Sequence, residues 1–356
     1  MNLMIMQTLI TLIKNISNFF KDIFNLINFF LKKKNHDICF FNEKKYTIKY
    51  LEYFIKKKCK KKKIIILSFD KINFSNSNCI ILYLQTNFFR EFFFLTTNFK
   101  FLYATTPNLN SSLFKKSLRK KTKYIYIQHS PVSLLKAYHE KAFLEFDAIQ
   151  VINTYQYNEV KILNEMNKKK IKPFKSRYHF LESIRKKNEL KKDVLIAPTW
   201  KTDFYKMNYH LTLINYFKKN NISYVLRPHP MSVIKKEISL YELNKNQIEY
   251  DLDSELNINK YLNLISNWSG IFIEFALVNK RMPYHINTSK KYLNNIDYNN
   301  YETIEEFATR SIAHTLDISK IDTINFKDQT LIKKSEEENI NSFYNDLFYN
   351  DIKRQN

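Results

Sequence analysis

The stretch Leu264–Lys280, LISNWSGIFIEFALVNK, reads as a buried strand, a tight turn and an apolar helix, and it holds the only glycine in 356 residues. Glycine serves where φ is positive or where the backbone must come close to a ligand. Gly270 stands between Ser269 and the first apolar turn, so a helix is expected from about Ile271 to Asn279. Its free amide groups and dipole at the Ser269–Gly270 end suit a phosphate. The plainer reading is an N-cap in which Ser269 and Glu274 form a capping box, although their spacing departs from that motif. Glu274, a turn into an apolar helix, is a candidate for hydrogen bonding ribose hydroxyls.

Scarcity makes the surrounding residues informative. The chain is rich in Lys, Asn, Ile, Phe and Tyr, as AT-rich coding produces, and has only two tryptophans and seven prolines. Most of these sit in short segments after apolar runs: YATTPN, YIQHSP, LIAPTW, VLRPHP and SNWSG. Three dispersed cysteines, Cys39, Cys59 and Cys79, show no zinc spacing and no disulfide framework, the profile of a reducing compartment.

The net charge of +24 admits an anionic membrane surface or nucleic acid as partner. The excess is local: residues 32–63 carry thirteen Lys against Asp37, Glu43 and Glu52, a net of +10. Ahead of this block, polar residues Gln7, Thr11, Lys14, Asn18, Lys21, Asn25, Asn28 and Lys32 alternate at spacings of four and three between Leu, Ile, Met and Phe. Residues 1–35 therefore read as an amphipathic helix, whose longest uncharged run, Met1–Ile13, is too short to cross a bilayer. A wide apolar face followed by Lys32–Lys34 and Lys56–Lys63 fits peripheral attachment to the inner face of a cell membrane. The competing reading docks the helix on the protein's own core.

Beyond it, IIILSF (64–69), CIILYLQ (79–85), FKFLYA (99–104), KYIYIQ (123–128) and AIQVIN (148–153) read as buried strands. A lysine-rich stretch at 161–192 breaks the pattern, and a second set follows in DVLIAP, SYVLRP, NLISNW and MPYHIN, with helices expected at 205–220 and 254–264. The expected division is a first α/β domain at 36–170, a linker at 171–190, a second α/β domain at 191–330 and a C-terminal helix at 331–356. In parallel sheets ligands bind outside the carboxyl ends of the strands, and every proline- or tryptophan-bearing segment named above falls at such an end.

Two of these loops present histidines. In VLRPHP, Pro228 and Pro230 fix the backbone around His229 beside Arg227, a pairing of imidazole and guanidinium suited to a diphosphate and its leaving oxygen. In YIYIQHSPVS, His129 ends a strand with Ser130 and Ser133 next to it. One histidine per domain at a sheet edge suggests a cleft served by one base and one acid. Thr199 and Trp200, with Lys201 and Thr202, form a further wall. There is no GxxxxGK, no HExxH and no Asp-rich metal motif, so charge neutralisation falls to side chains and helix ends.

ATTPNLN, YIYIQHSPVSLLKAYHEKAFLEFDAIQVI, VLIAPTW, VLRPHPMS and ISNWSGIFIEFALVNKRMPYHINTSKKYLNN together resemble, in order and spacing, proteins of the CDP-glycerol glycerophosphotransferase family over about Thr105–Ala313. The resemblance implies the α/β GT-B fold, two Rossmann-like domains facing each other across a cleft. It also implies transfer of glycerol phosphate from CDP-glycerol to a hydroxyl of a cell-surface polymer or lipid-linked acceptor, with release of CMP and no metal or other cofactor. By motif position His129 would act as base, His229 as the group at the leaving side, Arg227, Ser269 and Gly270 as diphosphate contacts, and Glu274 as the ribose contact. Ser130 stands where the family has glycine, and Asn267 where it has aspartate, which leaves the donor open. Other readings are a GT-B enzyme using another nucleotide-activated donor, a degenerate scaffold, and a basic nucleic-acid-binding protein. The last is disfavoured because the aromatics lie within apolar runs and no RNA-binding signature occurs.

Overall fold

A computed structural model describes residues 2–31, 37–44, 47–72, 74–119, 121–184, 192–253, 256–290, 293, 301–324, 326 and 333–349. The chain divides into two compact units. The first comprises Met1–His129, Lys141–Gln150 and Leu163–Phe174; the second comprises Ser130–Glu140, Val151–Ile162 and Lys175–Asn356. The first crossing from one to the other thus falls between His129 and Ser130.

The first unit begins with α1 (Asn2–Leu31) and continues through β1 (Ile38–Asn42), α2 (Ile48–Cys59), β2 (Ile64–Ser68), β3 (Cys79–Tyr83), α3 (Asn87–Thr96), β4 (Phe101–Ala104) and β5 (Lys123–Tyr126). Next come β6 (Ala148–Val151), α4 (Thr154–Asn167) and β7 (Lys172–Lys175), which share their residues between the units. The strand order is β3-β2-β1-β4-β5-β6-β7, and the pairs from β3 to β6 are parallel. Strands β1 and β2 are buried at every position, which is why ICFFN and IIILS are apolar without alternation. All five strands read from the sequence in this half are present, but β1, between β2 and β4, and β7 are additional. The stretch expected as a linker carries β7 and α5 (Phe180–Ile184).

The second unit continues with β8 (Lys192–Ile196), α6 (Tyr209–Lys219), β9 (Tyr224–Leu226), α7 (Pro230–Ile234), α8 (Leu240–Lys245), β10 (Tyr261–Ser266), α9 (Gly270–Asn279), β11 (Tyr284–His285), α10 (Ile304–Ile312), β12 (His314–Thr315) and α11 (Lys334–Leu347). Its sheet is parallel throughout, in the order β12-β11-β10-β8-β9. The helix expected at 254–264 is instead a short 3-10 turn, Ile258–Lys260, leading into β10, because Tyr261–Ile265 pairs with Lys192–Ile196. Residues 350–356 of the expected C-terminal helix lie outside the described residues. Helix α9 is apolar all round and mostly buried, as befits a helix enclosed by its own unit.

Cys59 and Cys79 form a disulfide pair with Cα atoms 6.7 Å apart, while Cys39 is free and buried. This corrects the expectation of three separate thiols. The end of α2 and the start of β3 are neighbours at one sheet edge, where Asn78 Nδ2 donates to the Cys59 carbonyl, and a separation of 20 residues conceals this in sequence.

The reading that docks α1 on the protein's own core holds for its C-terminal half. In its C-terminal half Asp22, Leu26 and Phe29 are buried, and Phe29 meets Phe93 of α3 edge to face. The Asp22 carboxylate accepts from the Gln85 and Thr86 amides (2.9 and 2.7 Å) and from the Thr86 hydroxyl (2.8 Å), so it caps α3 at its positive end. Asn25 Nδ2 donates to the Tyr83 carbonyl at 3.0 Å, which sets α1 antiparallel to β3. Its N-terminal half therefore projects beyond the carboxyl end of β3, with Leu9, Ile10, Leu12, Ile13 and Ile16 each at least half exposed. At 1.5 Å per residue this half is about 25 Å long. Lys32–Lys34 lie outside the described residues. No helix among the described residues is long and apolar enough to cross a membrane.

Replacing Asp22 with alanine removes the cap from α3 and leaves two amides without their partner. Urea unfolding should show a loss of about 1–2 kcal/mol, the usual worth of an N-cap; an unchanged midpoint would mean that the contact holds nothing.

Candidate functional site

Topology alone locates a crevice in each sheet. An open parallel sheet binds ligands where its strand order reverses, because the loops there leave in opposite directions. In the second unit the reversal lies between β8 and β10, and the loops concerned are Ala197–Thr202 and Asn267–Gly270. In the first unit it lies between β1 and β4, and the loops begin at Glu43 and Thr105.

Asn267 ties the second crevice together. Its Oδ1 accepts from the Thr199 amide at 2.7 Å, and its Nδ2 donates to the hydroxyls of Thr202 (3.1 Å) and Thr288 (3.2 Å). Those hydroxyls in turn donate to the Thr199 and Ser289 carbonyls, so they need a donor in return. Asparagine meets both requirements at once, whereas a carboxylate has no hydrogen to give. The neighbouring Trp268 donates its ring N–H to the Thr288 carbonyl at 2.9 Å and packs against His285, 4.5 Å between centroids. Burial pushes the His285 imidazole down to about 4, so it is neutral in the folded protein.

His229 is the N-cap of α7. Its Nδ1 accepts from the Met231 amide at 3.1 Å, and its ring stacks on Trp200 with an interplanar angle of 29° and 6.2 Å between centroids. An accepting Nδ1 places the proton of the neutral ring on Nε2, the form that can donate to an oxygen. Arg227 is otherwise engaged. Its Nη1 pairs with Asp251 at 2.5 Å and its Nη2 donates to the Asp253 carbonyl, which braces β9 against the segment after α8.

Gly270 has no positive φ. A Cβ built on it would meet Ser130 Oγ at 1.9 Å, Val132 Cγ1 at 3.0 Å and Pro131 Cδ at 3.3 Å. Close approach is thus the reason for the glycine, and the group that approaches is the chain's own Ser130–Val132 segment. Ser269 forms no side-chain cap on α9, which removes the capping-box reading. Glu274 is buried and accepts from the Tyr178 hydroxyl at 2.6 Å.

In the first unit Tyr126 Oη and His129 Nδ1 lie 2.9 Å apart, and the imidazole also bonds the Thr105 backbone. Tyr50 stands at 6.0 Å from its ring. Thr106 donates to Glu43 at 2.8 Å across the first crevice. Desolvation pushes His129 down to about 4, with the Thr105 bond acting in the opposite direction, so the ring is neutral at physiological pH.

Of the residues singled out in sequence, the structure joins Thr199 to Asn267, Trp200 to His229, and Ser130 to Gly270 beside Ser269. It directs Arg227 and Glu274 to internal partners. Thr288 and Tyr126 were not anticipated; only their proximity in the folded chain reveals them. No group of three or more His, Cys, Asp or Glu among the described residues could hold a metal ion.

This architecture is that of the GT-B fold. No protein-family model matches the chain, and no curated protein matches it. Among solved structures it is similar to the wall teichoic acid polymerase TagF in a variant with CDPG, at 13% identity and a TM-score of 0.50, covering 94% of this chain and 92% of that one. A second TagF variant gives 14% identity and 0.50 over 93% of each chain. UDP-GlcNAc 2-epimerase of Methanocaldococcus jannaschii, in complex with UDP-GlcNAc and UDP, gives 8% identity and 0.50 over 85% of this chain and 97% of that one.

The Gly270 contact is open to a mutant cycle. Gly270→Ala should cost about 1–3 kcal/mol, the range for an overpacked site. Ser130→Gly in the same chain should recover part of that loss, and equal losses in the single and double variants would show that Ser130 is not the obstruction.

Proposed function

We propose that this protein transfers glycerol phosphate from CDP-glycerol to a hydroxyl of a cell-surface polymer or lipid-linked acceptor, with release of CMP. The observation that carries the reading is His229: a histidine at the second unit's sheet edge, stacked on Trp200, whose Nδ1 is occupied so that Nε2 bears the proton. The five motifs shared with the CDP-glycerol glycerophosphotransferase family support it, as does the GT-B fold.

The acceptor oxygen attacks the phosphorus that bears glycerol, its proton passes to His129, and the bond from that phosphorus to the CMP oxygen breaks. His229 donates from Nε2 to the departing phosphate. Ser269 and the backbone at Gly270 hold the diphosphate at the start of α9, with Thr199 and Trp200 forming the opposite wall. A base near 4 is weak, but an anionic substrate beside it raises its affinity for the proton. Arg227 and Glu274 shape the walls through Asp251 and Tyr178. No metal has a part in this scheme.

The N-terminal half of α1 we assign to an anionic membrane surface at the inner face of the cell membrane. Exposed apolar residues from Leu9 to Ile16 and the basic run Lys56–Lys63 in the same unit support this.

Purified protein should release CMP from CDP-glycerol in the presence of acceptor, and chelator should leave the rate unchanged. His129→Ala should lower transfer by roughly 10²- to 10⁴-fold while donor still binds, the usual contribution of acid–base catalysis. His229→Ala should lower both rate and donor affinity. Absence of CMP release, or equal donor affinity in wild type and His229→Ala, would contradict the assignment.

Deleting residues 2–17, which spares Asp22, should abolish flotation with anionic vesicles and leave the fold intact. Salt should weaken wild-type flotation, since the Debye length falls from about 10 Å at 0.1 M to about 3 Å at 1 M. Flotation of the truncated chain would transfer the role to another surface.

A further inference from the structure

The segment Ser130–Leu134 is fastened within the second unit by three side chains that the proposed chemistry does not use. Gln156 and Glu159 lie three residues apart on one face of α4. Gln156 Nε2 donates to the Val132 carbonyl at 2.9 Å and to the Ser130 carbonyl at 3.4 Å. Glu159 Oε2 accepts from the Leu134 amide at 2.7 Å, and Glu159 Oε1 accepts from the Ser133 hydroxyl, which itself accepts from the Lys136 amide at 3.0 Å. Glu305, in the first turn of α10, accepts from the Ser133 amide at 3.1 Å. Ser133, Gln156 and Glu159 are fully buried. The same segment places Ser130 Oγ against the bare Cα of Gly270.

We propose that Glu159 is a positioning residue for the donor site, holding Ser130–Leu134 on the first turn of α9. The functional half of this rests on the reading given above; the structural half does not. Two carboxyl groups bonded to one serine cannot both ionise cheaply in a buried place. Burial pushes Glu159 up to about 8, opposed by its bonds to Ser133 and Leu134, with Glu305 raising it further and Lys136 lowering it. Glu305 is also shifted upward by burial. The other groups facing the cluster are Tyr301, itself raised, and Glu306, which takes the Lys136 ammonium at 3.1 Å and also pairs with Lys290.

The pH dependence has a definite sign. The folded protein keeps the Glu159 proton up to about pH 8, whereas the unfolded carboxyl releases it near 4.5. Its contribution to stability is therefore whole below 4.5 and is lost as pH rises towards 8. His129 and His285 act in the opposite direction, since their lowered values withdraw stability as pH falls from 6.5 to about 4.

Amide hydrogen exchange on the full chain tests this without substrate. Protection at Ser133 and Leu134 should fall by about tenfold or more in Glu159→Ala, by local opening, and stay near wild type in Glu159→Gln, which keeps the shape of the protonated acid. In wild type the same protection should decline as pH rises from about 4.5 towards 8, and in Glu159→Gln it should not. Unchanged protection in Glu159→Ala, a loss spread equally over β8 and β10, or a Gln variant that behaves like Ala would each overturn the proposal. Should Glu159→Ala fail to fold, Glu159→Asp, which draws the carboxyl back by one methylene, serves in its place with the same outcomes. With CDP-glycerol as the probe, KM should rise above pH 8 in wild type and remain flat in Glu159→Gln. If wild type binds no CDP-glycerol, the transferase reading fails while the exchange experiment still decides the positioning role.

Discussion

The bare Cα of Gly270 is the constraint on which the second unit's site rests. Any side chain there would strike Ser130 at 1.9 Å, so the choice of residue and the path of the segment that follows His129 are one decision. With that segment on the first turn of α9, its backbone groups face inward and must be satisfied by buried partners. Gln156, Glu159 and Glu305 supply them. Asn267, three residues before the glycine, binds the loops after β8, β10 and β11 by the same logic of donors matched to acceptors. The crevice at the reversal of the sheet is therefore built on hydrogen-bonded loops rather than on exposed charge.

That construction bears on the chemistry. A chain with a formal charge of +24 might be expected to meet a diphosphate with arginine, yet Arg227 is paired with Asp251. What the geometry offers instead is neutral and directional: an imidazole whose tautomer is fixed by the Met231 amide, a helix terminus, and an indole stacked on the imidazole. His129 is likewise kept neutral by burial. Directed N–H groups in a partly desolvated place act strongly on developing charge.

Much of this was legible in the sequence, and the parts that were not share a cause. The apolar runs gave strands β2 to β6 and β8 to β11 because a parallel sheet buried on both faces demands continuous hydrophobes. Strand β1 escaped because ICFFN is short and enclosed by the lysine block, and β7, KPFK, because its polar ends deny it a pattern. The loops bearing Thr199, His229 and Gly270 were found because proline, tryptophan and glycine are scarce here. Their partners were not, since each lies far along the chain: Thr288 for Asn267 at 21 residues, Asp251 for Arg227 at 24, Tyr178 for Glu274 at 96. The glycine was read as the place where a ligand phosphate nears the backbone, and only the fold could show that Ser130 of the chain itself approaches there.

The central claim is that a nucleotide-activated donor sits at the carboxyl edge of the second sheet with its diphosphate on the start of α9. A crystal structure of the full chain with CDP-glycerol tests it most directly. The account predicts diphosphate oxygens within hydrogen-bond distance of the Gly270 backbone and of His229 Nε2, with Arg227 still on Asp251. A diphosphate bound in the first unit, or one held by Arg227 away from α9, would contradict it.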